Sequence, residues 1–135
     1  MAQGSTARRP VGQQVAYRRK NVNFNTTGIA TGVSMGKIPT GAKIHSCVGI
    51  IEIAFNSAGT NRLVVGTNST SYNNIATSTT LAAGTAGGKQ SLIGGLLDFT
   101  QDTEVFIKYT AATGTAATTG NATIILAYCC DNEGS

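Results

Sequence analysis

The sequence has little of what membrane, secreted and disulfide-rich proteins depend on. Only 12% of its 135 residues are charged, and it has one histidine, two prolines and no tryptophan. No apolar run approaches the ~20 residues that cross a bilayer, so no membrane association is expected. The start, MAQGSTARRP, has no apolar core of a secretory signal, and an odd number of cysteines, three, fits a reducing compartment. We therefore expect synthesis in a cytoplasm.

Histidine and cysteine are too few and too poorly spaced to indicate a metal site or a catalytic centre. His45 and Cys47 supply two ligands at most, and Cys129 and Cys130 are adjacent rather than spaced as in zinc sites. The sequence has no nucleophile–histidine–acid signature and no phosphate-binding glycine motif. It therefore predicts no catalytic residue, no cofactor and no metal, and the chain is not expected to be an enzyme.

The chain is organised around residues 37–55, KIPTGAKIHSCVGIIEIAF, where a proline–glycine turn precedes the longest apolar run. A β-branched run bounded by turn residues predicts a strand. Alternation puts apolar side chains on both faces of this strand: Ile44, Val48 and Ile50 on one, and Cys47, Ile51, Ile53 and Phe55 on the other. We therefore predict a central strand that is covered on both sides, or one that passes through a subunit contact.

These two apolar faces exceed what one sheet face can hide inside a single chain. We therefore predict a homo-oligomer, a homodimer in preference to a homotrimer, built partly on sheet-face or edge-strand contacts. The candidate residues for this contact lie in the second half of the central strand: Val48, Ile50, Ile51 and Ile53.

Further short strands are predicted at regular spacing, separated by clusters of Gly, Asn, Ser and Thr. They are residues 22–25, 29–35, 62–66, 104–109 and 121–128, with a bent strand at 89–99 and a short strand or helical turn at 75–81. We expect residues 62–66 to return beside the central strand as a hairpin. The length fits one domain, and the pattern predicts an all-β sandwich or barrel.

The positive charge is concentrated at the N-terminus. The first 20 residues contain no acid and five bases, a charge of +5: Arg8, Arg9, Arg18, Arg19 and Lys20. The other residues contain five bases and six acids, a charge of −1. We interpret residues 1–21 as an extended basic arm and residues 22–135 as the folded domain. Such an arm could bind an acidic protein surface, bind nucleic acid or remain solvated.

Several segments resemble one family of viral proteins. They are KIPTGAKI at 37–44, IAFN at 53–56, NRLVVG at 61–66 and TGNATIILAY at 119–128. A proline–glycine turn before a central strand, a Phe-Asn turn after it and a Leu-x-Val-Gly return are similar to the cement, or decoration, proteins of tailed-bacteriophage heads. The basic arm and the Cys129–Cys130 end are not part of this pattern.

The resemblance implies a jelly-roll β-sandwich without enzyme activity that binds the outer surface of the head and stabilises the shell of major capsid protein. The implied partners are the major capsid protein and further copies of the chain, and the implied site of synthesis is the host bacterial cytoplasm. The basic residues of the arm are then the candidate capsid contacts: Arg8, Arg9, Arg18, Arg19 and Lys20.

Two other functions fit the same kind of domain. One is a small jelly-roll coat protein whose basic arm holds nucleic acid, but five positive charges are few for that role, so nucleic acid is not expected as a partner. The other is a carbohydrate-binding β-sandwich module. The absence of tryptophan argues against it, because sugar platforms generally need exposed rings.

Overall fold

The computed structural model describes residues 15–68, 70–91, 99–111 and 116–129, except for the side chain of Ser91. Within these ranges the chain forms seven strands and one four-residue helix. In chain order they are β1 (Val15–Asn23), β2 (Val33–Ile38), β3 (Lys43–Ile53), β4 (Arg62–Gly66), α1 (Ser78–Leu81), β5 (Gly87–Ser91), β6 (Thr103–Thr110) and β7 (Asn121–Cys129).

The strands form two antiparallel sheets, one of four strands in the order β1-β7-β3-β5 and one of three in the order β2-β6-β4. Each strand from β1 to β6 is followed along the chain by a strand of the other sheet. Connections that pass back and forth between two packed sheets are typical of jelly rolls. An isolated bridge between Val65 and Ala76 extends the smaller sheet beyond β4. The structure confirms the predicted all-β, single-domain sandwich of jelly-roll type.

The predicted hairpin between the central strand and residues 62–66 is wrong, although both strands exist. β4 pairs with β6 in the three-stranded sheet, whereas β3 pairs with β7 and β5 in the other. The connection between β3 and β4 crosses from one sheet to the other, and its polar groups are hydrogen-bonded to β6 of the smaller sheet. The Asn61 Oδ1 atom accepts hydrogen bonds from the Tyr109 hydroxyl at 2.6 Å and from the Ser57 amide at 3.1 Å, all three residues being buried.

The core lies between the sheets and is made by alternate residues of each strand. Val105, Ile107 and Tyr109 of β6 alternate toward the core and are all buried. Ile124 and Leu126 of β7 oppose them from the other sheet and are completely buried. Burial of this kind stabilises a sandwich by roughly 25 cal/mol per Å² of apolar surface removed from water.

Two irregularities in β3 overturn the strict alternation expected for the central strand. The register with β7 shifts between Ile44 and Ser46 and again between Ile51 and Ile53. A bulge adds one residue to one strand and so changes which side chains face the core beyond it. Ile51 is therefore buried in the core, but Ile53 is 55% exposed on the opposite side.

The first bulge also separates His45 from Cys47, which alternation had placed on one face. His45 is exposed, whereas Cys47 is completely buried on the core side of β3. Burial disfavours the charged thiolate and raises the pKa of the Cys47 thiol to about 12. The pair therefore cannot act together as ligands in this fold.

This burial predicts the reactivity of Cys47. In a Cys129→Ser/Cys130→Ser variant, we expect a soluble aromatic disulfide reagent at pH 8 to label Cys47 no faster than the protein unfolds. Only about one Cys47 in ten thousand would carry the reactive thiolate at that pH, and the reagent cannot reach it. Absorbance during labelling, with and without denaturant, measures both rates. Complete labelling of native protein within seconds would contradict the burial.

The structure differs from the expected arm at its C-terminal part. Residues 15–21 belong to β1, which pairs with β7 along its whole length, from Val15 opposite Cys129 to Asn23 opposite Asn121. The cluster of Arg18, Arg19 and Lys20 made this strand hard to predict from the sequence. Its high charge is typical of a solvated segment, although its side chains alternate between the two faces of the sheet. Arg8 and Arg9 lie outside the described residues, and the assignment of an N-terminal arm remains a prediction for residues 1–14.

Candidate interaction surface

The face of the four-stranded sheet that points away from the core is unusually apolar. Four large hydrophobic side chains are prominently exposed within the described residues, namely Val15 at 37%, Tyr17 at 67%, Ile50 at 37% and Ile53 at 55%. All four lie on this side of the sheet, which we call the outer face. Contiguous exposed apolar surface of this kind marks interaction sites in soluble proteins.

The strand register places these four side chains in different rows of the sheet, with Val15 and Tyr17 on β1 and Ile50 and Ile53 on β3. Tyr17 lies opposite Ala127, which in turn pairs with Ser46. In the next outward-facing row Arg19 lies opposite Ile125, and Ile125 pairs with Val48. Directly opposed side chains in neighbouring strands approach to about 5 Å, so each row forms a continuous strip.

The row after these strips is largely polar. The Asn21 amide donates to the Asn121 Oδ1 atom at 2.9 Å and to the Thr123 hydroxyl at 3.0 Å. Its contact with the Glu52 carboxylate is longer, at 3.4 Å, as is that of the Thr123 hydroxyl, at 3.5 Å. Glu52 is exposed, and both of these contacts are with uncharged groups. The carboxylate therefore keeps most of its capacity to bind a cation.

A cleft of about 320 Å³ adjoins the outer face where β1 and β7 meet. Ile53 and the half-buried ring of Phe24 contribute its apolar surface. Its remaining walls are short polar residues and one glycine: Asn23, Asn25, Thr118, Thr119, Gly120 and Asn121. The cleft thus extends the apolar surface around the end of the sheet.

The three basic residues predicted as capsid contacts that the structure describes do not form one cluster. The Arg18 guanidinium donates to the Lys37 carbonyl oxygen at 2.9 Å and lies over Gly36, so it joins β1 to β2. Arg19 points to the outer face and is exposed, whereas Lys20 is half-buried on the opposite side of β1. Among these described basic residues, only Arg19 shares a surface with the predicted oligomer-contact residues.

The predicted oligomer-contact residues are also divided by the fold. Val48, Ile50 and Ile53 lie on the outer face, but Ile51 is 1% exposed and belongs to the core. The sequence reasoning missed Val15, Tyr17 and Ile125 as members of the same face. The signal in the sequence was weak, since in β1 only Val15 and Tyr17 precede the basic residues with a spacing of two, and only the register brings them and Ile125 onto one face with β3.

The described residues contain no group of three or more His, Cys, Asp or Glu side chains that could hold a metal ion. None of the helical segments in those residues is long and apolar enough to cross a membrane. The pKa of the Asp102 carboxyl is lowered. The main cause is its acceptance of hydrogen bonds from the Thr40 amide and hydroxyl, both at 3.0 Å, and the nearby Lys37 charge adds to the effect. This pairing ties the Thr40 turn to the start of β6 and supplies no nucleophile.

Neither protein-family models nor curated proteins match this sequence. Solved structures of other proteins do match it. A chain of the cyanophage Pam1 capsid asymmetric unit superposes with a TM-score of 0.64 at 25% sequence identity, covering 96% of this chain and 91% of that chain.

A second similar structure is a chain of the acidic stable capsid of the Helicobacter pylori bacteriophage KHP30. Its TM-score is 0.58 at 15% identity, covering 85% of this chain and 86% of that one, and at this identity it shows the shared fold alone. Both neighbours come from phage capsids and match nearly the whole domain. Together with the jelly-roll topology, the match to the Pam1 chain supports a phage capsid-related structural protein.

Proposed function

We propose that this protein is a structural component of a bacteriophage virion that binds the outside of the head and cements the shell of major capsid protein. The observation that carries the proposal is the superposition of 96% of the chain on a chain of a phage capsid asymmetric unit at 25% identity. The segments that resemble cement proteins, among them KIPTGAKI and NRLVVG, lie in that domain.

The surface of the domain favours an attached protein over one that forms the shell by itself. The large hydrophobic side chains exposed in its described part are concentrated on one face. A shell-forming subunit needs contacts on several sides, whereas an attached protein needs one or two. We infer that the protein is made in the host bacterial cytoplasm and joins the head as a homo-oligomer, a homodimer in preference to a homotrimer.

The residues proposed to contact the major capsid protein are the basic ones near the N-terminus. Arg8 and Arg9 are the strongest candidates, because Arg18 is engaged within the chain by the Lys37 carbonyl. Arg19 and Lys20 are further candidates, but they lie on opposite sides of β1 and cannot both join one such contact. Arginine forms bidentate, charge-assisted hydrogen bonds with carboxylates, so acidic groups on the capsid would be the complementary partners.

The test adds purified protein to heads assembled without it and images the particles by cryo-electron microscopy. We expect ordered density on the outer surface, and heads that resist heating better when it is present. Binding to free nucleic acid with strong salt dependence, and no binding to heads, would instead support the coat-protein alternative. Absence of both would overturn the cement function.

Deleting residues 2–14 should reduce head occupancy by about tenfold at limiting protein concentration, equivalent to about 1.4 kcal/mol. The deletion stops before Val15 because β1 is part of the sheet, so the domain should keep its β-sheet circular dichroism spectrum. An Arg8→Gln/Arg9→Gln variant is the matched control for charge and should show part of the loss. Occupancy equal to that of the full chain would assign the segment no role in binding.

A further inference from the structure

We infer that the outer face of the four-stranded sheet is the surface on which a second copy of the chain docks, face to face, around a two-fold axis. This inference rests on the proposed homo-oligomer and names its interface. Val15, Tyr17, Ile50 and Ile53 are the exposed apolar residues that the contact would cover. The second copy presents the same residues, because a two-fold contact is made by one surface with itself.

The size of the face matches a small specific interface. Neighbouring strands are about 4.8 Å apart, and strands of nine residues are about 30 Å long, so the sheet presents roughly 500 Å². Two copies would together cover about 1,000 Å², which is the lower end for stable specific contacts. Half-buried Val48 and Ile125 lie in the row beside Thr123, so apolar side chains adjoin the polar row within the contact.

Charge complementarity favours a second copy of the chain as the partner that binds the outer face. Arg19 on β1 and Glu52 on β3 lie on opposite sides of β7, and both are exposed. In a face-to-face dimer, the two-fold axis can lie in the contact plane above Thr123, at right angles to the line that joins Arg19 to Glu52. Rotation about this axis exchanges the positions of the two residues. Arg19 of each copy would then meet Glu52 of the other, giving two symmetric ion pairs that flank Thr123, next to the apolar side chains of Val48 and Ile125.

The same charges argue against pairing through the edge of the sheet. β1 is an edge strand, and pairing it antiparallel with β1 of another copy would bring Arg18, Arg19 and Lys20 of each copy close together. Like charges opposed across strands are destabilising, and charged edges discourage such pairing. Between the β1 edge and the outer face, the charges therefore favour the outer face.

Sedimentation equilibrium of the full-length protein between about 1 and 100 µM tests the inference. We expect a mass twice that of the monomer at the upper concentrations. Ile50→Asp and Ile53→Asp should each weaken dimerisation at least tenfold, because a carboxylate would enter the apolar contact. Val64→Asp is the matched control. Val64 is a half-buried aliphatic residue on β4, on the other side of the sandwich, and its substitution should leave the dimer unchanged.

Charge reversal tests the pairing of the two copies without altering the apolar residues. Arg19→Glu and Glu52→Arg should each weaken dimerisation several-fold. The double variant should recover most of the loss, since the pair is restored with its sign exchanged. Both positions are exposed, so the folded domain should tolerate these changes.

A monomeric full-length protein at about 100 µM would overturn the inference, as would dimerisation by Ile50→Asp and Ile53→Asp equal to that of the unchanged protein. Equal losses in the single and double charge variants would overturn the proposed arrangement of the two copies. Head binding distinguishes this result from the proposed function. If the protein is monomeric but still binds heads, only the proposed self-association surface is overturned. If it is dimeric but does not bind heads, only the proposed cement function is overturned.

Discussion

Gly66→Ala should destabilise the domain by about 3 kcal/mol or more, since such overpacking meets atoms that cannot move aside. A Cβ atom at this position would lie 2.6 Å from the Tyr72 carbonyl carbon and 2.7 Å from the Asn73 amide nitrogen, and it would collide with the Asn74 side chain. The Asn74 Oδ1 atom accepts the Thr67 amide at 2.8 Å, so the colliding loop is itself held in place. Urea denaturation followed by circular dichroism measures the loss.

Gly88→Ala is the control for this substitution. Gly88 also lies in a strand, but a Cβ there would have no heavy atom within 4 Å. We expect its free energy of unfolding to change by no more than about 0.5 kcal/mol, as for most exposed substitutions. Equal denaturation midpoints for the two variants would show that the loop after β4 yields to the added methyl group.

Phe55→Ala should lower the free energy of unfolding by about 3–5 kcal/mol, the range for emptying a buried aromatic site. Phe55 is 1% exposed, and its ring centre lies 4.5 Å from that of Tyr109. Gly120 lies against the other side, where a Cβ would approach the ring to 2.5 Å. Because the ring is enclosed by both sheets, little of the cavity could close by local collapse.

Phe106→Ala is the matched control for Phe55. Its ring stacks on Tyr72 at 4.7 Å, a similar aromatic pair, but Phe106 is only half-buried and points away from the core. We expect a loss of about 1 kcal/mol, close to the value of an exposed aromatic pair. Urea denaturation of both variants at one protein concentration makes the comparison. A loss at Phe106 as large as that at Phe55 would contradict the core boundary described above.

Local pattern predicted the strands well wherever alternation was regular. β4 was predicted at its observed bounds, and the predicted strands at 104–109 and 121–128 fall within β6 and β7. Which strands pair was not predictable in the same way. Short sequence separation favoured a hairpin between β3 and β4, but pairing depends on buried polar contacts such as Asn61 with Tyr109, which are distant in sequence.

The candidate surface was predicted in part for the same reason. Val48, Ile50 and Ile53 were identified from the apolar run, and Ile51 was wrongly joined to them because both faces of the strand were taken as contacts. The bulge that puts Ile53 on the side of Val48 and Ile50 leaves no clear mark in the sequence. Tyr17 was assigned to an arm because arginine and lysine surround it. Only the pairing of β1 with β7 makes its ring part of the same surface.

The pairing of β1 with β7 has a consequence for the chain during its synthesis. Asn21 and Asn121, which are hydrogen-bonded across the two strands, are 100 residues apart. β1 leaves the ribosome first but has no partner until β7 follows, and β7 also separates β1 from β3. Long-range strand pairing of this kind is slow and leaves apolar segments accessible in the meantime. The sandwich can therefore close only after translation has passed β7, so nascent chains that stop earlier would be substrates for chaperones rather than partly folded domains.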